Sequence, residues 1–274
     1  MARHACLVNA QTFSSTRPSH SAPARVRILG GEVDLITPKE MLHLTDALVS
    51  AGGPAVIANH NAHSLALTRR SPAMQAFFAD ADLVQIDSTP MILWGRLLGL
   101  PVERRHRSTY LDWRGDFWTL ANARRWKVYY LGGAPGVAET ACKRLAEIVP
   151  DVVFGWHDGY FDAAPGSDDN REVLAQLEAF DADILFVGMG MPRQEEWIAA
   201  HRDELTASVI FPVGAAFDYE AGVQTPAPRW MGRLGLEWVF RLATQPARLA
   251  HRYLIEPWAL LPQALLDVKA ALAR

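Results

Sequence analysis

The chain has 274 residues, 50% of them hydrophobic and 21% charged, with a formal net charge of −3. That suffices for one large buried core, or one domain with an appendage, and it offers no global basic field for nucleic acid. The two cysteines, Cys6 and Cys142, make neither a metal-ligand spacing nor a disulfide framework, and no apolar run reaches the roughly 18 residues of a membrane span.

No basic start followed by an apolar stretch is present, so no signal peptide is expected. Residues 9–24, NAQTFSSTRPSHSAPA, are rich in Ser, Thr, Pro and Ala and predict a mobile tail over about residues 1–25. VRILGGEVDLIT then reads as a strand or hairpin. PKEMLHLTDALVSAG has helical apolar spacing, with Thr37 and Pro38 at its start and Gly52 at its stop. PAVIAN is a strand, SLALTRRSPAMQAFFADA is helical, and DLVQID is a strand. TPMILWGRLLG is a helix with Thr89 as the expected cap and Pro90 at the first position. Next come a helix at FWTLANARR, a strand at KVYYLGG, a helix at VAETACKRLAEIV and a strand at VVFGW. A helix at NREVLAQLEAF, a strand at ADILFVGMG, a helix at RQEEWIAAHRDEL and a strand at SVIFPVGAAF complete the series.

Alternation with continuous apolar strands predicts an α/β fold: a Rossmann-like, mostly parallel sheet with helices on both faces, over residues 26–225. Ligands in such folds bind beyond the carboxyl ends of the strands. The residues to read are therefore Asn59 and Asn61, Asp87, Gly132 to Gly136, Gly188 to Gln194, and Gly214 to Asp218.

Residues 226–274 differ in character, with seven basic side chains against three acidic ones in an otherwise acidic chain. Arg241, Arg248 and Arg252 are spaced to share one helical face, interleaved with Trp230, Trp238, Phe240, Tyr253 and Trp258. Two readings stay open: a solvated face on a C-terminal helix pair, or a basic amphipathic element that docks on anionic headgroups.

LGGAPGVAE is a strand, a glycine turn and a helix start, where backbone N–H groups can approach phosphate. It matches neither the dinucleotide fingerprint nor the Walker loop, and a tight turn without a ligand is the alternative. Asp87 is either a helix cap or a general base that takes a proton from an attacking hydroxyl. PVERRHRSTYLDW gathers Arg104, Arg105, Arg107, Thr109 and Asp112, and arginine forks suit a diphosphate. His60, His63, His157 and Asp158 lack a third partner at metal spacing, so no metal site is expected. No Gly-x-Ser-x-Gly elbow appears, which leaves a serine hydrolase without support.

VYYLGGAPGVAE, FGWHDGYF, ADILFVGMGMPRQEEWI, VGAAFDYEAG, APRW and GLEWVFRLATQPARLAHRYL occur in this order. Together they resemble the WecG/TagA/CpsF glycosyltransferases, glycosyltransferase family 26, over roughly residues 27–255. The resemblance implies inverting, metal-independent transfer of a sugar from a UDP-sugar, with no cofactor. The implied acceptor is a polyprenyl-diphosphate-linked saccharide at the cytoplasmic face of the membrane, serving cell-surface polysaccharide or exopolysaccharide synthesis. Such an enzyme would be cytoplasmic and peripherally membrane-associated, with a basic C-terminal appendage over residues 226–274 that completes the active site and docks on the membrane. Self-association into a homo-oligomer is left open.

By this resemblance Asp87 falls on the catalytic base and Asn61 on the asparagine near the donor. Asn59 stands where the family usually has Thr. Gln194 falls on the Gln of the Pro-Lys/Arg-Gln-Glu motif and is expected to orient sugar hydroxyls. Asp218 falls on the Asp after Gly-x-x-Phe, and Arg241 and Arg248 on appendage arginines. Either Arg105 or Arg107 takes the phosphate-side arginine, with Thr109 beside it. Gly132, Gly133 and Gly136 are expected to line the nucleotide-sugar pocket. Departures occur at Asn59, at Ser88 in place of Gly, at Pro226 in place of Arg, and at His251-Arg252 in place of paired arginines. The donor is of N-acetylmannosamine, glucose or glucuronate type. Two rivals are another nucleotide-binding Rossmann enzyme, nucleotide-sugar-modifying or nicotinamide-dependent, and a non-catalytic membrane-associated assembly module of a polysaccharide machine.

Overall fold

The structure, a computed structural model, describes residues 23–273, with the side chains of Arg229 and Arg233 excepted. Most of the predicted tail lies outside the described residues. The first element is an antiparallel hairpin, β1 (Arg25–Ile28) and β2 (Gly31–Asp34). Six further strands follow: β3 (Ala55–His60), β4 (Leu83–Ile86), β5 (Lys127–Gly132), β6 (Val153–His157), β7 (Ile184–Gly188) and β8 (Val209–Pro212). They form one sheet in the order β4-β3-β8-β7-β5-β6, with every pairing parallel. The hairpin is tied to this sheet by buried Asp34, whose Oδ2 accepts the Val84 N–H at 2.8 Å.

Side chains of a strand alternate between sheet faces, so a strand covered on both sides must be apolar throughout. Val56, Ala58, Leu185, Val187 and Ile210 enter one core. Ile57, Ile184, Phe186, Val209 and Phe211 enter the other. The second core is heavily aromatic, with Trp113, Phe117, Trp118 and Phe217 packed around Phe186.

The covering helices are α1 (Pro38–Ala51), α2 (Ala62–Thr68), α3 (Pro72–Asp80), α4 (Thr89–Leu97), α5 (Tyr110–Arg124), α6 (Val137–Ile148), α7 (Asp168–Phe180), α8 (Arg193–His201) and α9 (Ala216–Glu220). α1 starts with a Thr37–Glu40 capping box and stops at Gly52, as its sequence predicts. Four details differ from expectation. The helical stretch 64–81 is broken, because Pro72 restricts the residue before it and Ser71 caps a new helix by accepting the Met74 N–H. At α4 the cap position is Ser88 rather than Thr89, and its side chain makes no cap bond. α5 starts at Tyr110, well before Phe117, since Thr109 and Asp112 form a capping box there. The stretch expected as one strand to Phe217 ends at Pro212, and Phe217 sits on α9, stacked 3.8 Å from the Tyr130 ring.

The C-terminal region is not a helix pair. α10 (Arg229–Leu234), α11 (Glu237–Thr244) and α12 (Pro246–Ala250) lead into a π turn at His251–Ile255, a 3-10 turn at Glu256–Leu260 and a last helix, α13 (Leu261–Leu272). Pro246 lacks an N–H and separates α11 from α12. Buried Leu249 and Leu260 anchor the region, and Leu260 joins the first core. Asp267 on α13 accepts the Leu29 N–H at 2.8 Å and the Trp94 Nε1–H at 3.0 Å. Among the described residues no helix is long and apolar enough to cross a membrane.

Where β5, β7 and β8 end, their backbones come close. A Cβ on Gly188 would lie 2.3 Å from Tyr130 Oη and 2.6 Å from the Gly214 carbonyl oxygen. Gly188→Ala is expected to destabilise the chain by about 1–3 kcal/mol, as overpacking does. Chemical denaturation with an unchanged slope would check it.

Candidate active site

A cavity of about 930 Å³ lies at the carboxyl edge of the sheet. It gathers Asn59 near the end of β3 and Asn61 just after it, Asp87 after β4, Gly133 after β5, Gln194 after β7 and Asp218 after β8. Thr109 also lines it, and the appendage contributes Glu237, Arg241, Arg248, Arg252 and Glu256. Gly132, Gly136, Arg105 and Arg107 do not line it.

Asp87 is held by its backbone N–H, which donates to the His60 carbonyl at 2.9 Å. Its side chain is reachable from the cavity yet walled in by protein. Loss of water pushes its carboxyl up to about 6, and Glu237 and Asp112 add to that push. Arg107 and Arg241 oppose it. Arg105 and Arg107 differ in position, and neither lines the cavity. Arg105 is exposed, pairs with Glu103 at 2.8 Å and lines a separate cleft. Arg107 lines that cleft too, but its guanidinium is largely buried between Asp112 at 2.9 Å and Glu237 at 2.6 Å, and its charge acts on Asp87. Thr109 caps α5, and its hydroxyl donates to Asp112 Oδ2 at 2.8 Å.

Two asparagines are partly spent on the fold. Asn61 Oδ1 accepts the N–H groups of His63 and Ser64 as the cap of α2, leaving its NH2 to offer. Asn59 Nδ2 donates to the Pro212 carbonyl at 3.0 Å and ties β3 to β8. At the glycine turn, the Gly133 N–H donates to the Gly188 carbonyl at 3.2 Å, so it is not an open phosphate donor. Gly132 is glycine because a Cβ there would lie 2.5 Å from the Gly188 backbone.

Gln194 departs most from expectation. It is 1% exposed, and its Oε1 accepts the N–H groups of Gly190 and Gly214, both at 3.1 Å. Its Nε2 donates to Glu195 Oε1 at 2.7 Å. The side chain is a clamp between two loops before it is a ligand for anything else. Arg193 fastens a third loop, donating to the Gly159 carbonyl at 2.8 Å and the Phe161 carbonyl at 2.6 Å.

The basic stripe of the appendage faces inward. Arg241 and Arg252 are half-buried, Arg248 sits at the rim, and all three line the cavity. Arg241 Nε and Arg252 Nε are buried without a hydrogen-bond partner among the described residues. Neither the solvated-face reading nor a basic membrane face fits that direction. Sequence reading weighed His63 only as a metal ligand and missed Glu256. Their hydrogen bond joins α2 to the 3-10 turn of the appendage, and both line the cavity. No sequence signal pairs residues so far apart. His60, by contrast, is core: it stacks on Phe78 and burial pulls it down to about 3. Among the described residues no group of three or more His, Cys, Asp or Glu side chains could hold a metal ion.

A parallel sheet with a charged cavity at its carboxyl edge is the layout of an α/β enzyme that binds a polar ligand beyond its strand ends. Residues 26–273 match the Glycosyl transferase WecG/TagA/CpsF family, and the chain belongs to that family. Two relatives from Staphylococcus aureus, strains MRSA252 and NCTC 8325 / PS 47, are each 28% identical to it over 236 residues. The match covers 82% of this chain and 87% of each relative. Both carry the name N-acetylglucosaminyldiphosphoundecaprenol N-acetyl-beta-D-mannosaminyltransferase.

The raised Asp87 carboxyl has a consequence for stability. Its folded value of about 6 exceeds the ordinary 3.8, so the folded chain binds the extra proton between those values. Stability therefore falls as pH rises through that window, and the penalty is complete above it. Asp87→Asn removes the penalty and is expected to stabilise the chain at pH 7–8 by about 1–3 kcal/mol. At pH 4 the gain should vanish. Thermal melts of both proteins at the two pH values would check it.

Proposed function

We propose that the chain is an inverting glycosyltransferase that moves a sugar from a UDP-sugar to a saccharide carried on a polyprenyl diphosphate. The observation that carries this reading is Asp87 at the carboxyl edge of the sheet, in a cavity that Arg241, Arg248 and Arg252 also line. A base and a set of fixed cations in one cavity suit attack on one side of an anomeric carbon and departure of a diphosphate on the other.

In this proposal the nucleotide lies across the strand ends, against the loops that Gln194 clamps. Asp87 is mostly ionised at neutral pH and accepts the proton of the acceptor hydroxyl. A carboxyl near 6 is a stronger base than an ordinary aspartate and still ionises at working pH. The hydroxyl oxygen attacks the anomeric carbon from the face opposite the UDP, the bond to the diphosphate breaks, and configuration inverts. The appendage arginines offset the charge that grows on the leaving diphosphate, so no metal is needed for that task. The name shared by the staphylococcal relatives makes N-acetylmannosamine the first donor to test, ahead of glucose and glucuronate, and makes a lipid-diphosphate-linked N-acetylglucosamine the first acceptor.

Peripheral attachment to the inner membrane face is part of the same reading. It is supported by apolar rather than basic residues: Trp258, Leu265, Leu266 and Leu272 are exposed on the appendage, and Leu93 and Leu97 on α4 beside it. Aromatic and aliphatic side chains of this kind bury into the headgroup boundary.

The decisive assay is release of UDP from candidate UDP-sugars in the presence of lipid-linked acceptor. Asp87→Asn should lower turnover by roughly 100- to 10,000-fold while UDP binding survives. Near-wild-type turnover in that variant would sink the base assignment. The pH–rate profile gives a second check. Wild-type turnover should fall below about pH 6 as Asp87 takes up a proton. Arg107→Met removes a cation that favours the ionised form, so its acid limb should move to higher pH. Glu237→Gln removes a like charge and should move it lower. Profiles that shift together, or not at all, would count against Asp87 as the titrating group.

A further inference from the structure

Glu195 is 0% exposed and takes no part in the transfer described above. Its Oε1 accepts from Gln194, while its Oε2 has no hydrogen-bond partner among the described residues. Burial pushes its carboxyl up to about 7, with Glu196 adding to the push and Arg252 opposing it. A half-satisfied buried carboxyl is destabilising by itself. What it secures lies one residue earlier.

The Gln194 amide bridges two loops that end neighbouring strands. Its oxygen holds the N–H of Gly190 after β7 and the N–H of Gly214 after β8. Both glycines line the cavity. An amide group has two orientations of the same shape, related by a half turn about its last bond. In the flipped orientation the NH2 would face two N–H donors, and the amide oxygen would face the carboxyl oxygen. Three attractive contacts would become three repulsive ones. Glu195 supplies the third, the acceptor for Nε2, and without it Nε2 would be buried with nothing to donate to.

We propose that Glu195 is a positioning residue: it fixes the amide orientation of Gln194 and, through it, the spacing of the β7 and β8 end loops that receive the donor's nucleotide diphosphate. The ligand in this statement rests on the reading under Proposed function; the clamp itself rests on the hydrogen bonds alone. The geometry requires an acceptor oxygen at the Oε1 position and no particular charge. Glu195→Gln can present that oxygen, with its NH2 where Oε2 stood. Glu195→Met has a similar length and no acceptor.

The test uses the full chain. Wild type, Glu195→Gln and Glu195→Met are titrated with UDP by calorimetry, and hydrogen exchange is followed at the Gly190 and Gly214 amides. In Glu195→Met, UDP should bind about tenfold more weakly, the loss of one buried hydrogen bond, and both glycine amides should lose protection. The KM for lipid-linked acceptor should stay unchanged. Glu195→Gln should keep UDP affinity within about twofold and keep the protection. The proposal is overturned by Glu195→Gln behaving like Glu195→Met, or by Glu195→Met keeping both UDP affinity and amide protection. A fall in melting temperature in both variants, with donor and acceptor affinity lost together, marks a purely structural side chain and overturns it as well. If Glu195→Met does not fold, Glu195→Asp withdraws the acceptor by one methylene and is read the same way. If wild type binds no UDP, the functional reading fails, and amide protection still decides the clamp.

Discussion

A carboxylate can sit inside a protein-walled cavity only if nearby charge offsets part of the water it has lost. Asp87 is in that position, and the arrangement around it follows from the balance. Arg107 and Arg241 favour its ionised form, while Glu237 and Asp112 oppose it. Arg107 cannot compensate fully because it is already shared between Asp112 and Glu237. The carboxyl is left at about 6, neither a strong acid nor a permanently neutral group. Glu237 and Arg241 both come from α11, so the appendage tunes a carboxyl that sits at the end of a sheet strand.

That coupling explains the direction of the appendage. An amphipathic segment with one basic and one apolar face must choose which to bury. A cavity holding Asp87 and Asp218 calls for cations: Arg241 favours the ionised form of both carboxyls, and Arg248 favours that of Asp218. The basic face therefore turns inward, and large apolar side chains such as Trp258 and Leu265 are left outside. Polar ties hold the arrangement shut: Arg107 to Glu237, His63 to Glu256, and Asp267 to Leu29 and Trp94. Each joins a residue before position 110 to one after position 230.

Much of this was legible in the sequence where the physics is local. Continuous apolar runs mark strands buried on both faces, and the residues at or just past the end of each run land at the carboxyl edge; Asn59, Asp87, Gly133 and Asp218 were found that way. The Thr37 cap and the Gly52 stop were legible for the same reason. What was illegible depends on contacts between distant segments. The spacing of Arg241, Arg248 and Arg252 reports a shared face but not what that face meets. Arg105 and Arg107 have the same composition signal, and they are separated by a tertiary contact, the bridge between Ile86 and Arg107 that lays the second beside β4. Gln194 looked like a sugar ligand because an uncharged amide can be one. Its hydrogen bonds to Gly190, Gly214 and Glu195 leave little of it uncommitted.

Burial pushes Asp87, Glu195 and Asp218 toward neutrality, and the push by itself is no guide to function. Glu195 reaches about 7 and Asp87 about 6. By acidity alone Glu195 is the better-tuned base at neutral pH. A base must also reach the proton it takes. Glu195 is sealed from the cavity, and its one partnered oxygen is held by Gln194. Asp87 lines the cavity together with the appendage arginines. The same loss of water therefore has two meanings. At Asp87 it tunes a group that can exchange a proton with a ligand. At Glu195 it is the energetic cost of an oriented acceptor, tolerated because it holds two strand-end loops at a fixed separation.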